Sequence, residues 1–171
     1  FNDAVTLASG TAGEGRILLT TSNGSTIDFA DGTTAVDLDT NNIDLTIEAA
    51  DLDLSNTGTV DFTGQALYLY TYDDTTAINI GDTDSDFGLT DTDLGALDGN
   101  ASSVLRFGEP ANQSGRITVT TAQVAAAASE ARYEFYSDAT GGRIDLDDGG
   151  NASAAFDTNG GGDVWMFAGS G

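Results

Sequence analysis

IDLTIEAADLDLS, residues 43 to 55, alternates apolar and polar positions with a period of two. Ile43, Leu45 and Ile47 point to one side, and after a corner at 49 to 51 so do Leu52 and Leu54; Asp44, Thr46, Asp53 and Ser55 point to the other. That alternation is the pattern of a half-buried strand. The same unit recurs outward in both directions: TIDFAD at 26 to 31, AVDLDT at 35 to 40, TVDFTG at 59 to 64, ALYLYT at 66 to 71, AINIGD at 77 to 82, RITVTT at 116 to 121 and RIDLDD at 143 to 148. Each unit buries two or three side chains, too few to be stable alone, so the units must stack.

From Val5 to Phe107 the units return about every seven to eleven residues, roughly one short strand plus one turn. Three units per turn give a coil of roughly twenty to twenty-five residues, within the range of solenoid repeats. The pattern therefore predicts an all-β chain folded as a parallel β-helix, a β-solenoid. The alternative is a β-sandwich of many short strands, which needs hairpin turns of the Asn-Gly kind; SNGS at 22 to 25 is the one clear instance. The Ala-rich segment AQVAAAASEAR at 122 to 132 predicts one short helical insert. No linker composition interrupts the chain, so 1–171 is read as a single elongated domain, with a terminal or assembly element at 122–171 as a further expectation.

Composition narrows the partners. The 171 residues carry 28 acidic side chains against 5 basic ones, a net charge of −23, and every basic residue is Arg. Phosphate backbones and anionic membrane surfaces attract the opposite sign, so neither nucleic acid nor membrane insertion is expected. Glu14, Glu48, Glu109, Glu130 and Glu134 are the five Glu, and the remaining acids are Asp. Adaptation to high salt would load both acids; the Asp bias favours tight turns and hard-oxygen calcium chemistry. Neither Cys nor His occurs, which excludes disulfides, thiolate or imidazole zinc sites and imidazole catalysis. Lys is also absent, and the carboxylates are spread along the chain, so no enzymatic activity is expected. The chain begins with Phe1 rather than Met, and is read as a processed product or an excerpt of something longer.

Four groups of residues are candidates for function. In GDTDSDFGLTDTDLGALDGN, residues 81 to 100, Asp82, Asp84 and Asp86 alternate before Gly88, as in the opening of a calcium loop, with Asp91 and Asp93 nearby. The Gly is displaced by one position and the closing Glu is missing, so a solvated acidic loop with Asp91 or Asp93 capping a turn before Leu94 is the other reading. Asp28, Asp37, Asp53, Asp61 and Asp145 occupy outward positions of the repeat; stacked at about 4.8 Å they would repel one another unless bridged by cations. LYLYTY at 67 to 72 sets Tyr68, Tyr70 and Tyr72 on the face opposite Leu67 and Leu69, a row suited to a sugar ring or a partner surface, or to cover by a loop. Finally, Val164, Trp165, Met166 and Phe167 form a nearly unbroken apolar run, an expected assembly element. The predicted partners are another copy in a homopolymer, the continuation of a longer rod, or a glycan or surface receptor.

From Ile43 to Gln123 the order of pieces resembles the repeats of filamentous-haemagglutinin-type giant adhesins, large surface exoproteins of Gram-negative bacteria. The matching residues are Ile78, Ile80 and Gly81 of an Ile-x-Ile-Gly rung, Leu89, Thr90, Asp93 and Leu94 of a Leu-Thr-x-x-Asp-Leu segment, and Leu105, Phe107 and Gly108 of a second rung. The resemblance implies a right-handed parallel β-helix, secretion to the cell surface and a role in attachment or in surface fibres. The expected function is thus a non-enzymatic extracellular structural protein, a segment of an adhesin or fibre. A self-assembling filament or surface-layer subunit joined by strand complementation is the first alternative, and a calcium-dependent carbohydrate-binding module the second.

Overall fold

A computed structural model of the chain describes residues 5–6, 16–20, 26–28, 36–40, 43–54, 57–81, 87–147 and 154–169. In chain order the strands are β1 (Val5–Thr6), β2 (Arg16–Thr20), β3 (Thr26–Asp28), β4 (Val36–Asp39), β5 (Asp44–Ala49), β6 (Asp51–Asp53), β7 (Thr57–Asp61), β8 (Ala66–Thr71) and β9 (Ile78–Ile80). They continue with β10 (Phe87–Leu89), β11 (Leu97–Asp98), β12 (Val104–Phe107), β13 (Ile117–Thr120), β14 (Ala122–Gln123), β15 (Arg132–Ser137), β16 (Ile144–Asp147), β17 (Phe156–Asp157) and β18 (Val164–Ala168). A single short α-helix among the described residues, α1, spans Asp91–Gly95.

The fold is all-β, and every strand pair among the described residues is parallel. The largest sheet has six strands in the order β18-β15-β12-β8-β5-β2. Read from β2 to β18, its strands follow the order of the chain. A second sheet runs β1-β4-β7-β11, a third β10-β9-β13-β16, and two-stranded sheets pair β3 with β6 and β14 with β17. SNGS at 22 to 25 lies outside the described residues.

Parallel register turns the period-two pattern into continuous columns. On the six-stranded sheet, Leu45, Leu67, Leu105 and Tyr133 stand side by side, as do Ile47, Leu69, Phe107 and Phe135. All eight are buried. On the third sheet, Phe87, Ile78 and Ile117 form one buried column and Leu89, Ile80 and Val119 the next. Aromatic rings fill the core near β15: Phe107 stacks on Phe135 at 5.1 Å, and Phe156 meets Tyr133 and Phe135 edge-on at 5.1 and 5.3 Å. Burial of each such side chain stabilises the fold by about 1.5–3 kcal/mol, and the neighbouring rungs supply the contacts that one rung lacks.

The corners are tied by buried polar side chains. Ser103 Oγ donates to Phe62 O and accepts from Gly64 N. Gln113 accepts from Thr71 Oγ1 and donates to Thr76 O, and Ser137 Oγ donates to Gly115 O. Each satisfies a backbone or side-chain group that a turn would otherwise leave unpaired. Two rungs end in glycine at positive φ, Gly81 at 87° and Gly108 at 81°. A Cβ at Gly81 would stand 2.1 Å from Thr120 O, and one at Gly108 2.1 Å from Tyr136 O, so only glycine lets the next rung approach so closely.

Two features depart from the alternation in the sequence. The Ala-rich segment holds its short helical insert only as one 3₁₀ turn at Ala126–Ala128, preceded by β14, and forms no α-helix. Ala122, Val124, Ala128 and Ala131 are drawn into the core, and so short a segment gains more from that burial than from helix propensity. The helix lies instead at α1, where Thr90 and Asp93 form a reciprocal capping box. The third sheet, moreover, breaks chain order. β9 lies between β10 and β13, so after β9 the chain steps back to lay β10 on the side facing β6 before moving on.

Candidate functional site

The outward face of the six-stranded sheet carries a compact aromatic and guanidinium cluster. Strand alternation sets Tyr68 on β8, Arg106 on β12, Glu134 on β15 and Trp165 on β18 in one column. Tyr136 and Phe167 are neighbours in the next column, with rings stacked at 4.4 Å. Gly108 leaves its own outward position empty of side chain, and Arg106 lies over both Tyr68 and Tyr136, 4.7 and 5.1 Å from the ring centroids. Arg132 lies 4.6 Å over Trp165.

Glu134 holds the cluster together. Its side chain is 2% exposed, with Oε2 accepting from Arg106 Nε at 2.7 Å and Oε1 2.8 Å from Arg132 Nε. Burial opposes the charge on Arg106. Bonds to Glu134 and Tyr70 outweigh that effect and hold its pKa above the ordinary arginine value. Two guanidiniums, one carboxylate and the aromatic rings thus form one connected cluster on this face, whose ring faces are suited to stacking.

The three predicted tyrosines do not form one exposed row. Tyr68 and Tyr70 share the outward face with ring centroids 6.0 Å apart, but Tyr70 is 6% exposed. Tyr72 lies past the end of β8, where its N–H donates to Ala49 O, and is well exposed. Arg106, Arg132, Glu134 and Tyr136 were not among the predicted residues. The signal for them is the alternation in VLRF at 104 to 107 and RYEFYS at 132 to 137, which puts all four on the polar face.

Among the predicted acidic residues, Asp82, Asp84 and Asp86 lie outside the described residues. Asp93 is buried, and both its oxygens accept protein hydrogen bonds: Oδ1 from Leu54 N, Oδ2 from the N–H and hydroxyl of Thr90. Asp91 Oδ1 accepts from Gln123 N at 3.0 Å. Gln123 Nε2 donates to Asp157 Oδ2, and the four-residue neighbourhood of Asp91, Thr121, Gln123 and Asp157, with Ala154, lines a shallow cavity of about 220 Å³. The N–H of Asn159, then the Gln123 amide, hold the Asp157 carboxyl below the ordinary range.

Of the five outward aspartates, Asp28 neighbours Asp53 and Asp61 stands in register between Asp39 and Asp98, whereas Asp145 neighbours Thr118 and pairs with Arg116 and Arg143. Asp61 Oδ1 accepts from Thr63 N in its own turn. No group of three acidic side chains among the described residues converges on a single point suited to a metal ion.

Val164, Trp165, Met166 and Phe167 all lie on β18, an edge of the six-stranded sheet, and each is exposed. No helix among the described residues is long and apolar enough to cross a membrane. No protein-family model, curated protein or solved structure matches this chain.

Proposed function

We propose that the chain is a non-enzymatic structural segment of an extracellular adhesin or surface fibre, built as a right-handed parallel β-helix. The observation that carries this reading is the six-stranded sheet in which β2, β5, β8, β12, β15 and β18 follow one another in chain order, each adding one rung to the same inward columns. Such growth extends the molecule along one axis without changing its cross-section, which is what a spacer needs. The rung-ending Gly81 and Gly108 support the likeness to haemagglutinin-type repeats, since close stacking of rungs requires them. A chain of net charge −23 suits a solvated rod that keeps apart from its neighbours.

Small-angle scattering of the purified chain, together with immunogold labelling of intact source cells, tests the reading. A rod-like scattering profile and label on the outer surface are expected. An isotropic particle, or label confined to the cell interior, would sink it.

The outward aromatic cluster favours a second reading, a glycan-contacting module. Tyr68, Trp165 and Phe167 lie on one face of one sheet, and sugar rings stack on such faces. Glycan-array binding that disappears in Trp165→Ala supports it; an array with no signal removes it.

A further inference from the structure

Asn-x-Ser/Thr, with x other than Pro, is the acceptor sequence for N-linked sugars. The chain carries it four times, at Asn23, Asn100, Asn112 and Asn151. Asn23 and Asn151 lie outside the described residues. The other two, Asn100-Ala101-Ser102 and Asn112-Gln113-Ser114, occupy corners on either side of β12, and the fold treats them in opposite ways.

Asn112 is held in place. Its Nδ2 donates to Glu109 Oε2, and Ser114 Oγ donates to Asp74 O. Between them Gln113 is fully buried and bonded to Thr71 and Thr76. The amide nitrogen, the hydroxyl and the residue joining them are all engaged, so drawing this segment into an enzyme's groove would break the corner that ties it to β8.

Asn100 is the converse. Asn100, Ala101 and Ser102 are all exposed, on a turn in which Asn100 O accepts from Ser103 N. The side-chain amide uses only its acceptor: Oδ1 accepts from Ser102 N at 2.9 Å, an Asx turn, and from Ser103 Oγ at 3.4 Å. Neither Asn100 Nδ2 nor the Ser102 hydroxyl has a partner among the described residues. The corner is anchored by the next residue, buried Ser103, whose Oγ donates to Phe62 O and accepts from Gly64 N. A sugar on Nδ2 leaves every one of these bonds in place, and its bulk falls on an exposed corner.

We infer that Asn100 is an N-glycosylation site and that the fold withholds Asn112 from the same reaction. The donor class is a lipid-linked saccharide phosphate, met by the chain on export. Nδ2 attacks the anomeric carbon of the sugar; the carbon–oxygen bond to phosphate breaks, the phosphate leaves with the electron pair, and Nδ2 gives up one proton to the transferase. The inference rests on the proposed extracellular reading, since that reading brings the folded chain to such donors.

The test is fragmentation mass spectrometry of the chain isolated from its source cells. A saccharide increment on the peptide containing Asn100, and none on the peptide containing Asn112, is expected. Ser102→Ala should lose the increment entirely and Ser102→Thr should keep it, both at unchanged melting temperature, because the Ser102 hydroxyl holds nothing in the fold. Asn100 left bare, Asn112 occupied as often as Asn100, or an increment that survives Ser102→Ala would overturn the inference. A bare Asn100 on surface-labelled cells overturns it while leaving the structural reading in place; a bare Asn100 with label confined to the cell interior removes both.

Discussion

Asp93 Oδ1 accepts the backbone N–H of Leu54 at 2.8 Å across 39 residues of sequence. The same carboxylate caps α1 through Thr90, so one buried side chain both starts the helix and fastens it to the rung that ends at β6. The capping signature Leu-Thr-x-x-Asp-Leu is thereby a joint between rungs as well as a local turn.

Asp93→Ala leaves the Leu54 and Thr90 donors without their acceptor, and should destabilise the fold by about 2–4 kcal/mol in urea denaturation. Asp93→Asn keeps one carbonyl acceptor and should lose roughly half as much. Equal losses in the two variants would show that the bond to Leu54 contributes little.

Gly108→Ala and Gly64→Ala separate steric closeness from backbone strain. Both glycines have positive φ, but an added Cβ meets Tyr136 O at 2.1 Å at Gly108 and no atom within 4 Å at Gly64. The Gly64 variant should lose about 1 kcal/mol, the cost of the left-handed conformation alone. The Gly108 variant should lose at least about 3 kcal/mol, because the Tyr136 rung must move. Calorimetric melting of the pair is the comparison to make.

Tyr133 sets an alkaline limit on stability. Its hydroxyl donates to Ala128 O at 2.5 Å, and burial pushes its pKa well above the ordinary tyrosine value. The folded state therefore holds the proton where the unfolded chain releases it, and stability present below pH about 10 declines as pH rises above that value. Tyr133→Phe should lower the melting temperature at pH 7, because Ala128 O loses its donor, and should flatten the decline between about pH 9.5 and 11. A decline of unchanged slope would assign the alkaline loss to other groups.

Glu134→Ala leaves Arg106 and Arg132 packed against aromatic rings without their shared counter-charge. Removing one partner of a buried ion pair typically costs about 3–5 kcal/mol, and the partial exposure of the two guanidiniums, 21% and 38%, places the expected loss nearer about 2–3 kcal/mol. In an Arg106→Ala, Arg132→Ala background the same substitution should cost much less. A double-mutant cycle by urea denaturation measures the difference, and additive losses would deny the coupling.

Period-two alternation made the strands legible in the sequence, because each inward residue of IDLTIEAADLDLS enters a column and each outward one stays polar. The glycines closing INIG and LRFG were legible too, as members of a repeated rung. The Ala-rich segment was half legible: it holds a helical turn at Ala126–Ala128, but its small side chains also serve a tight core corner, as the burial of Ala128 and Ala131 shows. Placement of the tyrosines was half legible: alternation sets Tyr68 and Tyr70 on one face, but Tyr70 is buried and bonds to Arg106, thirty-six positions later in sequence. The arginine and aromatic cluster could be assembled only once register was known, because its members lie on β8, β12, β15 and β18.

The backward step at β9 has a consequence for the order in which the chain can be assembled. Every inner strand of the six-stranded sheet finds one neighbour earlier in the chain, so during synthesis or export from the amino end it can dock as it emerges. β9 cannot: both of its neighbours, β10 and β13, come later. Ile78 and Ile80 must wait unpaired until Leu89 has emerged, and their second flank stays open until Val119 follows. Docking at this rung is therefore delayed by a turn of chain relative to β5, β8, β12, β15 and β18, each of which meets a strand already in place.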